Sequence, residues 1–273
     1  MLNISRTGVV CLALLGSALG LARPAFADDA CRHLLASGNP QYPPYLWRAP
    51  EDENRLIGAN AEMMQWLSKE IGIPIEVRYV GPWGRVQEEV RAGKVDLIAG
   101  AFFTVPRTEY MDYFHPPFRD TRSAVWTKEG SKLKYRRWGD LQGRQGVTVI
   151  NNSFGEDFDR YARENLKITQ VASLEQAIQI LQKGRADYLV YEDGPGDAFL
   201  AKMGITDVRQ LDGAVAKEPL HLTLSHKSAC NTPELRGKLA RAVYKLAKTP
   251  LMNDWISQSI QLWRKQTVQA PQP

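Results

Sequence analysis

Gly93-Lys94-Val95-Asp96-Leu97-Ile98 and Gly184-Arg185-Ala186-Asp187-Tyr188-Leu189 decide the fold of this chain. They lie 91 residues apart and share one order: glycine, base, small apolar residue, aspartate, then two large hydrophobic residues. Each follows a helical pattern, over 86–92 and 173–183, and each opens a nearly unbroken hydrophobic run, 95–101 and 186–191. Glycine stops a helix because it accepts the left-handed conformation of a C-terminal cap. An unbroken hydrophobic strand belongs to a sheet covered on both faces.

The same grammar extends outward from both stretches. Residues 33–37 read as a short strand. Met63, Met64, Leu67 and Ile71 share one face of a helix over 60–71 that Gly72 ends, and 75–80 alternates as a strand does. In the second half, strands are expected over 146–150 and 168–171 and a helix over 156–165. Ser173 and Gln176 form a capping box for the helix over 173–183. Strand–helix alternation predicts parallel α/β units, and its repetition predicts two lobes of like construction. No low-complexity linker separates them, so they are joined by short strand-like crossings, which is the arrangement of a hinge. The tail is helical: Thr232 caps, Pro233 fits the first turn, Leu235, Leu239, Ala242, Val243 and Leu246 make a face, and Pro250 separates a second helix over 251–263.

The beginning of the chain reads as an address. Arg6, an uncharged run over 8–21 and Ala25-Phe26-Ala27 have the order of a cleaved secretory signal over 1–27. That run has 14 residues, short of the roughly 20 a spanning helix needs. Cys11 follows Val10 rather than a small residue, which argues against lipid attachment. Without 1–27 the formal charge falls from +5 to +3. The excess is diffuse, and its one cluster, Lys132, Lys134, Arg136 and Arg137, reads as a solvated loop rather than a nucleic-acid patch. Cys31 and Cys230 remain; a secreted chain permits a disulfide, but spacing leaves their pairing open. Too few cysteines and histidines stand together for a metal site.

No nucleophile elbow, P-loop or dinucleotide glycine motif is present; Gly194-Pro195-Gly196 opens no clear helix and is discounted. Binding features are better represented. Tyr42-Pro43-Pro44-Tyr45 is a stiff aromatic loop, and Trp83 sits in a second rigid loop, Gly81-Pro82-Trp83-Gly84. Thr104 and Arg107 follow the strand over 95–101, at the strand end where open α/β sheets bind ligands. The arginine fork matches a carboxylate. Glu192 follows the strand over 186–191 and can hold an ammonium. Asn152, Ser153 and Phe154 lead into a helix whose amides favour an anion.

These residues resemble the bacterial extracellular solute-binding proteins of family 3, the polar amino-acid-binding group of ABC transporters, from about Arg32 to Trp263. Tyr42-Pro43-Pro44-Tyr45 is similar to the family's first ligand loop. Residues 93–101 with Thr104-Val105-Pro106-Arg107 are similar to its carboxylate-clamping stretch, and Glu192 falls where it usually has the aspartate that binds the ligand ammonium. The resemblance implies a two-lobed periplasmic-binding-protein fold with two hinge crossings, near 119–122 and 219–221, each lobe being a central sheet flanked by helices. It divides the chain into lobe one (28–120), lobe two (121–220) and a return to lobe one with C-terminal helices (221–273). It implies a periplasmic monomer that takes a small-molecule ligand to an inner-membrane ABC permease or receptor, with no cofactor and no nucleic acid. Phe102, Phe154 and Asn39 depart from the family's usual hydroxyl, threonine and aspartate, so a ligand other than a standard α-amino acid, and not a cationic one, fits the pattern. Two rival readings remain: a sensory protein docking on a membrane receptor, and a cyclohexadienyl-dehydratase-like enzyme with Glu192 as general acid or base.

Overall fold

A computed structural model describes residues 31–269; the expected signal segment 1–27 lies outside them. In chain order the elements are β1 (Leu34–Ser37), β2 (Gln41–Tyr42), β3 (Leu46–Ala49), β4 (Asp52–Ile57), α1 (Ala59–Ile71), β5 (Ile75–Val77), α2 (Trp83–Arg91), β6 (Leu97–Phe102), β7 (Met111–Tyr113) and β8 (Arg119–Lys128). There follow β9 (Gln145–Val149), α3 (Glu156–Asn165), β10 (Lys167–Val171), α4 (Leu174–Gln182), β11 (Tyr188–Glu192), α5 (Asp193–Lys202), β12 (Val208–Gln210), β13 (Ala216–Ser225), α6 (Pro233–Leu246) and α7 (Leu251–Gln269).

The main sheet has the order β10-β9-β11-β8-β13-β6-β1-β5. It holds two parallel trios, β5-β1-β6 and β10-β9-β11. In each, the first strand in sequence is central, so the two units have the same topology. Two long antiparallel strands, β8 and β13, join them. They pair with each other over Arg119–Ser123 and Ala216–Leu220; beyond that, β13 pairs β6 and β8 pairs β11. This is the two-lobed fold with two crossings.

The repeated hexapeptide has one structural job in both lobes. Gly93 and Gly184 have φ of 77° and 67°, conformations open to glycine at little cost. Their amides, and those of Lys94 and Arg185, bond the last carbonyls of α2 and α4. Asp96 Oδ2 then accepts the Leu35 amide at 2.8 Å, and Asp187 Oδ2 accepts the Gln145 amide at 2.7 Å. Each aspartate thus ties the third strand of its trio to the start of the central one.

Two expectations need correction. Trp83 is not in a loop: α2 begins there, with Pro82 as N-cap. Gly84 does not prevent this, because first-turn amides need no helical partner. Gly194-Pro195-Gly196 does open a helix, α5, with Glu192 as N-cap. A Cβ at Gly196 would lie 2.3 Å from the Trp126 indole, so the glycine serves helix–sheet packing. Other boundaries differ by a few residues. In the capping box, Ser173 Oγ accepts the Gln176 amide, but Gln176 Oε1 reaches the Ala172 amide rather than that of Ser173.

Cys31 and Cys230 form a disulfide with Cα atoms 4.9 Å apart, pinning the start of β1 to the segment before α6. The last helix, α7, touches both lobes. Trp263 packs edge-on against Trp47 of lobe one, lies beside Phe199 of α5, and donates to the Ala198 carbonyl at 3.1 Å. No helix among the described residues is long and apolar enough to cross a membrane.

Candidate functional site

The carboxyl ends of β6 and β11 bring Arg107 and Glu192 to the seam between the lobes. Arg107 sits in a 3-10 turn, Val105–Glu109, capped by Thr104. It is 6% exposed. Its Nη1 donates to the Phe102 carbonyl at 3.0 Å, its Nη2 donates to the Asn151 carbonyl of the opposite lobe at 3.2 Å, and its guanidinium lies 5.4 Å from the Trp83 ring centroid. Glu192 ends β11 and is 2% exposed. Its Oε2 has no hydrogen-bond partner among the described residues. Burial pushes its pKa up to about 7; its own backbone amide and, more weakly, the Arg107 charge oppose that rise.

The expected residues fall into two adjoining groups. Thr104, Arg107, Asn152 and Ser153 line a cavity of about 330 Å³ between the lobes, with Gln87, Arg91, Tyr110, Glu156, Asp159 and Arg163 around it. Tyr42, Tyr45 and Phe102 are buried beside Tyr191 in the core that surrounds Glu192. The Tyr42 and Tyr45 rings are 5.0 Å apart. Burial and the Glu192 charge hold the Tyr42 and Tyr191 hydroxyls neutral, well above the usual phenol range. The Tyr42 hydroxyl, like Asn152 Nδ2, is buried without a hydrogen-bond partner among the described residues.

Two expected residues turn elsewhere. Phe154 packs on Phe158 within the core of lobe two, apart from the Tyr42–Glu192 group. The Ser153 hydroxyl is taken by Asp159, which also accepts the Phe154 amide at 2.9 Å. Asn39 donates to the Tyr191 hydroxyl at 3.1 Å. Asn151, Gln87 and Asp159 were missed in the sequence. Asn151 acts through its carbonyl, which no side chain advertises. A larger hollow of about 560 Å³ lies between the lobes over Trp47, Phe199 and Trp263. Its charges already pair, Lys202 with Glu175 at 3.7 Å and Arg48 with Glu53 at 2.8 Å, and it lies off the β6 and β11 ends.

The sequence pattern of the bacterial extracellular solute-binding proteins, family 3, matches residues 34–258. The chain belongs to that family. This family 3 protein resembles ArgBP of T. maritima with a TM-score of 0.70 and 17% identity, over 84% of this chain and 96% of that one. It also resembles AbpA, an amino acid ABC transporter substrate-binding protein of Streptococcus pneumoniae bound to L-arginine (TM-score 0.69, 17% identity, 85% and 96% covered). A histidine kinase sensor domain with similarity to periplasmic binding proteins gives a TM-score of 0.68 and 20% identity, covering 90% of this chain and all of that one. Among curated sequences, membrane-bound lytic murein transglycosylase F of Aeromonas hydrophila is 26% identical over 141 residues, 50% of this chain and 28% of that one. L-cystine-binding protein TcyA of Bacillus subtilis is 20% identical over 152 residues, 56% of this chain and 54% of that one. The match thus spans about a quarter and about half the length of these two relatives.

Proposed function

We propose that this solute-binding protein captures a small polar zwitterion, an amino acid or related carboxylate, without turning it over. Arg107 takes the carboxylate and Glu192 the ammonium, with Thr104, Asn152 and Ser153 beside them and Tyr42, Tyr45, Trp83 and Phe102 as the aromatic surround; Phe154, packed on Phe158, backs the site from the core of lobe two. Lobe one is 28–120 with 221–273, and lobe two is 121–220. The lobes close on the guest about hinges near 119–122 and 219–221. The mature chain acts in the periplasm, after removal of 1–27, as a monomer that delivers its guest to an inner-membrane ABC permease. One observation carries the reading: two buried opposite charges come from different lobes, and the acid keeps an oxygen with no hydrogen-bond partner among the described residues. A buried carboxylate without a partner is costly, and a guest ammonium removes that cost.

The test is a thermal-shift screen of amino acids, small carboxylates and amines, since a ligand that binds the folded state stabilises it by mass action. Calorimetry with the best hit follows. Arg107→Ala is expected to weaken binding by 10-fold or more, because a charged hydrogen bond contributes about 1.5–3 kcal/mol, while the variant stays folded. An unchanged dissociation constant refutes the clamp.

The sensor domain that covers nearly all of this chain favours a second reading, in which the closed protein signals to a receptor instead of feeding a permease. Pull-down from membranes with and without the guest separates the two by which integral protein is retained. A dehydratase-like activity rests only on Glu192 titrating near neutrality. Turnover of prephenate or arogenate that Glu192→Gln abolishes would establish it in place of simple capture.

A further inference from the structure

α6 and the turn that follows it carry the positive charge of the chain. Residues 233–249 hold Arg236, Lys238, Arg241, Lys245 and Lys248 against Glu234, a net of +4, while the whole of 28–273 carries +3, so the remainder is net −1. Lys238, Arg241, Lys245 and Lys248 recur at steps of three and four, which sets them on one side of a helix, and all four are exposed. The other side, with Leu235, Leu239, Ala242, Val243 and Leu246, is buried. We infer that this basic face is a docking surface for an anionic phospholipid membrane, whose headgroup phosphates meet Lys238, Arg241, Lys245 and Lys248.

The fold itself makes little use of these bases. Arg236 turns to Asp112 at 3.9 Å, and Lys245 pairs with Glu70 of α1 at 2.8 Å. Lys248 lies 5.2 Å from the Tyr244 ring centroid. Lys238 and Arg241 have no ion-pair partner among the described residues. Lysines at a helix C-terminus complement its dipole, but Lys238 and Arg241 stand before the last turn. Lys238, Arg241, Lys245 and Glu70 line a pit of about 170 Å³, three bases to one acid around a space for a small oxyanion. Gly237 leaves room for the Arg241 fork, since a Cβ there would come within 3.3 Å of its Nη1; glycine is otherwise a poor residue for a helix interior. A guanidinium fork matches a phosphate. The apolar side of α6 is already taken by the core, so the helix does not insert and the attraction is electrostatic. Its one large exposed ring, Tyr244 at 59%, suits the headgroup layer, where tyrosine is enriched. A protein partner is disfavoured, because interface cores are depleted of lysine. None of the four bases lines either space between the lobes, so docking leaves the cleft clear. On the periplasmic reading above, it holds the chain against the bilayer that contains its permease.

Co-sedimentation of the secreted chain with vesicles tests the surface. The native chain is expected to bind phosphatidylglycerol vesicles and not phosphatidylcholine vesicles in about 0.1 M salt, and to be released in about 1 M, as the screening length falls from about 10 Å to about 3 Å. Lys238→Gln with Arg241→Gln and Lys248→Gln is expected to lower the partition coefficient at least tenfold, since each base beside an anionic membrane contributes about a fivefold attraction. Lys132→Gln with Lys134→Gln and Arg136→Gln removes the same charge from an exposed loop of lobe two and is expected to change it by less than about threefold, because charges beyond a screening length act weakly. Thermal melts check that both variants are folded, and Arg241→Gln alone replaces the triple variant if that unfolds. A native chain that ignores both vesicles leaves the face to a soluble acidic partner and overturns the proposal. Equal binding to both vesicles, binding that survives about 1 M salt, or equal losses in the two variants would overturn it too. No guest enters the measurement, so its failure leaves the zwitterion assignment standing.

Discussion

Glu192 is an acid placed where its charge is disfavoured, and this gives stability a readable pH dependence. Burial raises its folded pKa to about 7 from 4.5. Between about pH 4.5 and 7 the folded protein keeps a proton that the unfolded chain has lost, so this group lowers stability as pH rises through that window and adds no slope above it. Glu192→Gln should remove that slope. Urea titrations at pH 5 and pH 8 are expected to show the variant gaining on the native protein by up to about 3 kcal/mol between the two pH values. Comparing the two proteins cancels the other buried groups. Equal differences at both pH values would mean that Glu192 is ionised in the fold. Arg107 and Glu192 were both legible in the sequence because each follows a hydrophobic strand, and strand ends are where α/β folds place ligands. The neighbours that complete the seam were not. Gln87 reads as an ordinary helix residue, Asp159 as a first-turn acid of α3, and Asn151 works through its backbone.

At the scale of elements, the repeated hexapeptide explains why the lobes were legible. Its glycine, base and aspartate end a helix, turn the chain and fasten a new strand to its neighbour, and that sequence of jobs needs those residue types in both places. Trp83 was misplaced for the opposite reason: Gly-Pro-x-Gly is turn chemistry, and here the proline caps α2 and the second glycine falls in a turn where helix propensity matters little. The two aspartates differ in one respect. Asp96 also accepts the Ser228 hydroxyl, through Oδ1, and is half-buried, whereas Asp187 is exposed. Asp96→Ala therefore leaves two donors without their carboxylate and is expected to cost about 2–3 kcal/mol, against about 1 kcal/mol for Asp187→Ala. Chemical denaturation of both variants measures the difference. Equal losses would mean that the aspartates do no more than fill a turn.

At the scale of the whole molecule, fastening and motion act at different places. The Cys31–Cys230 bridge closes a loop over a sequence separation of 199, and that loop contains all of β8 to β13 and with them the whole of the second parallel trio. Restricting so long a loop in the unfolded chain is worth up to about 5 kcal/mol on the chain-entropy account. Both cysteines lie on the same side of the crossing strands, one beside β1 and the other ahead of α6, and α6 packs on α1 of that lobe. Rotation of one lobe against the other therefore does not strain the bridge. The contacts that rotation must break lie elsewhere, among them those at the Asn151 carbonyl, at Trp263 against Ala198, between Asn39 and Tyr191, and at Gln41, which meets Glu175 and the Leu174 amide. Cys31→Ser with Cys230→Ser is accordingly expected to lower stability by about 2–5 kcal/mol while changing guest affinity by less than about twofold, a change of about 0.4 kcal/mol. Denaturant melts and calorimetry on the same preparation measure both quantities. A large loss of affinity in a variant that remains folded would show that the bridge orients the lobes, because a cross-link within one lobe can reach the guest only by shifting the strand ends that hold Arg107.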